Sequence, residues 1–173
     1  MIALQSIDKH MNNLQVLNLS KNELGLEGGK YLATQILKVK KLKELRLAEC
    51  NITDKGVIEL IKSVDEINCL EVLDLSGNQI GKSQYFGDLV GKFERYLNQN
   101  THLERLYLDD NNLRAQNGER ILKAICQTLA LTHLSVKKNF LGIALKGTQA
   151  PICVLSNLLL KSVSMQELDV SWN

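Results

Sequence analysis

An eleven-residue pattern recurs along this chain and limits its fold more than any other feature does. LQVLNLSKNEL from Leu14, LKELRLAECNI from Leu42, LEVLDLSGNQI from Leu70, LERLYLDDNNL from Leu103 and LTHLSVKKNFL from Leu131 align without a gap. MQELDVSWN from Met165 follows the same pattern as far as its Asn. The shared form is L-x-x-L-x-L-x-x-N/C-x-L, and successive copies start 28, 28, 33, 28 and 34 residues apart. Such self-similarity marks a chain built by stacking one supersecondary unit. Within each copy the leucines alternate with period two. Leu45 and Leu47, or Leu73 and Leu75, therefore face one side of a short strand, while Arg46 and Asp74 face the other. One copy cannot bury its leucines; stacked copies can. The pattern predicts six parallel strands in one sheet, in chain order, centred near Leu17, Leu45, Leu73, Leu106, Leu134 and Leu168.

The Asn that ends the pattern (Asn22, Asn78, Asn111, Asn139, Asn173) both donates and accepts, so it suits backbone groups exposed where the chain leaves the strand. Cys50 replaces it in the second copy, with a weaker donor. The return path reads as helix. Val57, Leu60, Ile61 and Val64 form one apolar face, with Asp54 at the expected N-cap. Leu32, Ile36 and Val39 serve the first copy, and Ile121, Ile125 and Leu129 the fourth. In the third, Phe86, Leu89, Val90, Phe93 and Leu97 suggest a longer helix; in the fifth, Pro151 suits the start of a helix carrying Ile152, Leu155 and Leu159. Strands stack about 4.8 Å apart, whereas packed helices need about 10 Å each, so the sheet lines the inside of an arc. The expected fold class is an α/β solenoid, a right-handed horseshoe with its parallel sheet concave and its helices convex.

The pattern, and the stretch LRLAECNITDKGVIELIKSV from Leu45 to Val64 in particular, resembles the ribonuclease-inhibitor type of leucine-rich repeat. Gly56 and Gly28 stand at the turn into the helix in that register. The resemblance covers essentially all of residues 1–173 and implies a single domain of about five full repeats with partial repeats at both ends. It is specific for fold and weak for function, because inhibitors, immune receptors, GTPase regulators and bacterial effectors share the architecture. Two repeats depart from it, the third and fifth being five or six residues longer. Tyr85, Phe86, Phe93 and Tyr96 crowd the third, as filling under its helix or as a protruding lip. The helix-like opening (Ile2, Leu4, Ile7, Met11) and the close inside a repeat suggest part of a longer solenoid.

Composition narrows the partner. A net charge of +2 is too small for a typical nucleic-acid binder, and no apolar run approaches the roughly 20 residues of a membrane span. The opening MIALQSIDKHMNN lacks the features of a secretory signal. Cys50, Cys69, Cys126 and Cys153 are too widely spaced for a stapled scaffold or a metal site, which points to free thiols and a reducing, cytoplasmic compartment. Low proline with many Lys, Asn, Ile and Leu also resembles bacterial repeat effectors, such as those of Legionella, that act in the host cytosol.

Alternation places the candidate binding face on the concave side, where Arg46, Asp74, Arg105, Tyr107, Asp109, His133 and Lys137 lie on adjacent strands, with Asp110 and Trp172 at the edge. Mixed charge with Tyr, Trp and Arg suits a folded protein partner, one that the chain would inhibit or regulate. Catalysis finds no support. Asp109 and Asp110 point apart, His133 and Ser135 lack an orienting third group, and GLEGG lacks the ending of a phosphate loop. KVKKLK, from Lys38, reads as a solvated helix end. No cofactor, metal, nucleic acid, membrane or small-molecule substrate is expected. The alternatives are a GTPase-activating type of regulator, for which Arg114 is the candidate arginine, and the sensor domain of an immune-type receptor.

Overall fold

The computed structural model describes residues 13–128, 130–144, 146, 150–161 and 164–173. Short strands and helices alternate: β1 (Val16–Asn18), α1 (Gly25–Ile36), β2 (Glu44–Arg46), α2 (Asp54–Ile67), β3 (Val72–Asp74), α3 (Phe86–Gln99), β4 (Arg105–Tyr107), α4 (Ala115–Ile125), β5 (His133–Ser135), α5 (Leu155–Lys161) and β6 (Glu167–Asp169). A 3-10 turn, Pro151–Val154, leads into α5 with the proline at its start. The strands form one parallel six-stranded sheet in chain order, with Leu17, Leu45, Leu73, Leu106, Leu134 and Leu168 side by side. This is the α/β solenoid that the repeat predicts.

The core lies between sheet and helices. Leu45, Leu47, Leu73, Leu75, Leu106 and Leu108 are buried from the sheet side. Leu32, Ile36, Val57, Leu60, Ile61, Val64, Phe93, Ile121 and Ile125 meet them from the helices. Gly56 sits inside the first turn of α2 rather than before the helix, and it permits close approach of α1. A methyl group built on Gly29 would stand 3.3 Å from the Gly56 Cα.

The asparagines form a ladder along the buried side of the turns. Asn78 Nδ2 donates to the carbonyls of Leu47 (2.8 Å), Leu75 (2.9 Å) and Ser76 (3.1 Å), and its Oδ1 accepts from the N–H groups of Cys50 (3.2 Å) and Ile52 (2.9 Å). Asn111 and Asn139 repeat this arrangement one and two repeats further on. Cys50 takes over only part of it: its thiol donates to Leu19 O (3.1 Å) and Ala48 O (3.5 Å). Burial pushes the Cys50 thiol pKa up, which keeps it protonated as a donor.

Several local expectations are corrected. Thr53, not Asp54, is the N-cap of α2, and it makes no side-chain capping bond. Asp54 is the first helical residue, fully buried, and its carboxylate reaches into the next repeat. It accepts from Gly81 N–H (2.7 Å), Ser83 N–H (2.9 Å) and Ser83 Oγ–H (2.6 Å). The third repeat's extra length lies mainly in this loop, 79–85, because α3 has 14 residues, as α2 has. Phe86, Phe93 and Tyr96 are buried, whereas Tyr85 is half-buried on the surface under the Lys55 ammonium, 4.7 Å from its ring centroid. The lysine run begins two residues past the end of α1, whose own last turn holds no basic residue. Leu155 is buried but Leu159 is exposed, so the fifth repeat's apolar face is only partly covered. The opening segment with Ile2, Leu4, Ile7 and Met11, and Leu129 of the fourth repeat, lie outside the described residues.

Candidate protein-binding surface on the concave sheet

Strand alternation sends two rows of side chains onto the concave face. One runs Val16, Glu44, Val72, Arg105, His133, Glu167 in register, and its neighbour runs Asn18, Arg46, Asp74, Tyr107, Ser135, Asp169. Arg46 Nη2 donates to Glu44 Oε2 (2.9 Å), and Arg105 Nη2 stands 3.9 Å from Glu44 Oε1. Val72, between Glu44 and Arg105 in register, is fully buried although it is on the open face. Arg105 Nε is also buried and has no hydrogen-bond partner among the described residues. Tyr107 is half-buried in the middle of the sheet, with Asp74 and Ser135 as its in-register neighbours. Asp74 turns one oxygen back to accept from Ser76 N–H (3.0 Å).

Asp109 and Lys137, like Arg46, are engaged by their own chain. Asp109 Oδ1 accepts from Ser135 Oγ–H (2.5 Å) and from Lys137 N–H (2.8 Å), so this carboxylate joins neighbouring repeats. Ser20 and Ser76 do the same with their hydroxyls, accepting from Ala48 N–H (3.1 Å) and Asp109 N–H (3.2 Å). Lys137 Nζ lies 3.1 Å from Asp169 and 3.8 Å from Asp109. The Asp169 contact, with Asp109 beside it, raises the Lys137 pKa; hydrogen bonding from Ser171, then Lys137, lowers that of Asp169. His133 approaches Glu167 (3.8 Å) and shares a 2.8 Å contact between its Nδ1 and Thr132 Oγ1. With the Ser135 hydroxyl committed to Asp109, His133 and Ser135 do not form a nucleophile–base pair.

Asp110 and Trp172 lie on the rim rather than on the strands. Together with Lys21, Glu49, Gly77 and Lys138 they occupy one turn position in six repeats, each in left-handed backbone with φ between 48° and 63°. That conformation costs a non-glycine residue about 1–2 kcal/mol, and only one repeat places glycine there. Trp172 is 83 % exposed in this position. Phe140, left-handed at φ 59° and 43 % exposed, stands two residues after Lys138 on the same rim. The Arg114 guanidinium lies 4.5 Å from the Phe140 ring centroid, and its Nε donates to Asn112 Oδ1 (2.7 Å). The sequence reading missed Phe140. Its signal was the aromatic in KNFL, where the other repeats carry Glu23, Asn51, Gln79 or Asn112.

On the convex side, an open groove of about 550 Å³ runs between α2 and α3, lined in part by Lys55, Tyr85 and Arg95. No group of three or more His, Cys, Asp or Glu side chains among the described residues is placed to hold a metal ion. No described helix is long and apolar enough to cross a membrane. Among the described residues no disulfide joins the four cysteines; Cys50 is buried and Cys153 exposed.

A leucine-rich-repeat family model matches residues 10–33, 40–60, 66–83 and 99–116. The chain is 32% identical over 155 residues to the mouse (Mus musculus) NACHT, LRR and PYD domains-containing protein 14, covering 86% of this chain and 15% of that protein. It is 27% identical over 186 residues to the pig (Sus scrofa) ribonuclease inhibitor, covering 93% of this chain and 40% of the inhibitor. A Rho GTPase-activating protein of Dictyostelium discoideum, gacW, is 26% identical over 99% of this chain and 16% of its own length. The chain thus spans less than half the length of the curated relatives it matches. Among solved structures, the leiomodin-1 actin-binding site 2 superposes with a TM-score of 0.65 at 16% identity, over 91% of this chain and 86% of that one. At that identity the likeness is one of fold.

Proposed function

The chain is a leucine-rich-repeat protein, and from that premise we propose that it grips a folded protein partner with its concave sheet and adjoining rim, as an inhibitor or regulator of that partner. The observation that carries this reading is the centre of the sheet. Tyr107 and Arg105 project from the same strand onto the open face. Among the described residues the Arg105 guanidinium has one long ion-pair contact, to Glu44, and the Tyr107 ring is half-exposed. Tyr and Arg in such a central position are the residue types that dominate protein interfaces. The similarity to a ribonuclease inhibitor supports the same reading. A reducing compartment, whether the chain's own cytosol or that of a host as for bacterial repeat effectors, is part of the proposal; four cysteines with no disulfide among them support it.

The test is affinity capture with the wild-type chain as bait, identification of the captured protein, and titration of variants against it. Tyr107→Ala lowers affinity at least about thirtyfold with an unchanged thermal midpoint, since the ring lies outside the leucine core. Tyr85→Ala, on the convex side, leaves affinity unchanged. Loss of binding with Tyr85→Ala and full binding with Tyr107→Ala refutes the concave reading. Arg105→Met is a second probe. Asp109 is unsuitable for charge reversal because it joins adjacent repeats.

A second reading, a regulator of GTPase turnover, has the similarity to gacW in its favour. It requires Arg114 to act on a bound GTPase. A turnover assay with small GTPases, comparing wild type and Arg114→Ala, separates the two readings.

A further inference from the structure

We propose that Arg114, Phe140 and Asn112 form a preorganised receptor for a carboxylate side chain of the protein partner, on the rim where the fourth and fifth repeats leave the sheet. The proposal rests on the reading of the chain as a protein-binding module and specifies the chemistry it recognises. Arginine carries five N–H donors in a planar fork. In Arg114 the Nε donor is taken by Asn112 Oδ1 at 2.7 Å, and the guanidinium carbon lies over the Phe140 ring, 4.5 Å from its centroid. What remains is the end of the fork, the pair of Nη groups that receives a carboxylate through two parallel hydrogen bonds. No ion pair among the described residues includes Arg114. Arg46, Arg105 and Arg120, in contrast, each face a glutamate of their own chain.

The two contacts also explain why this exposed arginine suits binding. A surface arginine ordinarily samples many rotamers, and fixing them weakens association. Here the ring and the amide already hold the fork. The ring itself stands where the backbone disfavours it: Phe140 has φ 59°, and the second repeat places Asn51 there at φ 56°. Asparagine tolerates that region; phenylalanine does so poorly. Nothing in the core requires the Phe140 ring, which is 43 % exposed. Its close partner is the guanidinium.

Trp172 provides an apolar contact on the next turn of the rim. That turn is tied to the first by Lys138 N–H donating to Ser171 O (3.1 Å) and Gly142 N–H donating to Asn173 O (3.2 Å). The equivalent residues Glu49, Asp110 and Lys138 are also exposed, and each has a repeat on both sides. Lys138 adds a second cation that makes no ion pair among the described residues. The site fits an Asp or Glu flanked by a large apolar residue on the partner's surface.

The test uses a random peptide library displayed on phage, selected against the whole chain, followed by titration of the enriched peptides. Enriched sequences are expected to pair Asp or Glu with a large apolar residue. Their affinity falls about tenfold or more with Arg114→Lys, which keeps the charge but loses the planar fork, and with Phe140→Asn, which keeps the left-handed turn. Unchanged thermal midpoints separate this loss from unfolding; Arg114→Lys alone decides if Phe140→Asn shifts the midpoint. Peptides without an acidic residue, or the absence of any Arg114-dependent binder, overturn the receptor. So does binding only when phosphoserine replaces the acid, because the ligand is then a phosphate. Peptides insensitive to Arg114→Lys but sensitive to Tyr107→Ala overturn the receptor and leave the concave reading standing. Peptides insensitive to both overturn the two together.

Discussion

Asn78 and Asn111 occupy the same place in successive repeats and are equally buried, yet their removal is predicted to cost very different amounts. Asn111→Ala deletes the bonds to the carbonyls of Leu75, Leu108 and Asp109, but each carbonyl keeps another donor: Asn78 Nδ2, Asn139 Nδ2 and Gly77 N–H respectively. Only Ile80 N–H, bonded to Asn111 Oδ1, is orphaned. Asn78→Ala orphans three groups: the N–H of Cys50, the N–H of Ile52 and the carbonyl of Leu47. Leu47 O has no second donor among the described residues, because Cys50, which occupies the asparagine position of its own repeat, sends its thiol to Leu19 O and Ala48 O instead. An unsatisfied buried polar group costs about 1–3 kcal/mol. Asn111→Ala should therefore lose about 1–3 kcal/mol and Asn78→Ala about 3–9 kcal/mol, a large share of a domain's roughly 5–15 kcal/mol. Urea unfolding followed by circular dichroism measures both. The slope of each transition must match wild type, since a repeat array can lose cooperativity. Equal losses, or a larger loss for Asn111→Ala, refute the accounting.

Three further outcomes follow from the same contacts. Cys50→Asn should be tolerated and add up to about 1 kcal/mol, and in that background Asn78→Ala should cost less; a double-mutant cycle by urea unfolding reads the coupling. Asp54→Ala removes three hydrogen bonds that hold the loop 79–85, and should cost about 3 kcal/mol or more in the same assay, with loop amides exchanging faster in hydrogen-exchange measurements. The Tyr96 hydroxyl is buried with no hydrogen-bond partner among the described residues, and burial pushes its pKa well up, so Tyr96→Phe should be neutral or stabilising by about 1 kcal/mol in thermal unfolding. A destabilised Tyr96→Phe would show that the hydroxyl has a partner.

The sequence by itself determined the sheet, the placement of the helices along the chain and most of the buried residues. The physical reason is local: leucines at period two and at helical spacing have only one arrangement that hides them, and each repeat states it again. It also determined the role of the asparagines, because an amide is the side chain that both donates and accepts at a turn. The tertiary structure decided which polar side chains are free. Asp109 and Tyr107 alternate alike on β4 and its extension, yet the first ties Ser135 and Lys137 to its own repeat while the second remains half-exposed. Asp54 looks like a helix cap in sequence and acts instead on a loop 27 and 29 residues away. Arg114 and Phe140 meet only because neighbouring repeats lie in register. These are contacts between copies, and their partners depend on how loops of unequal length settle against each other. Periodicity carries no information about that.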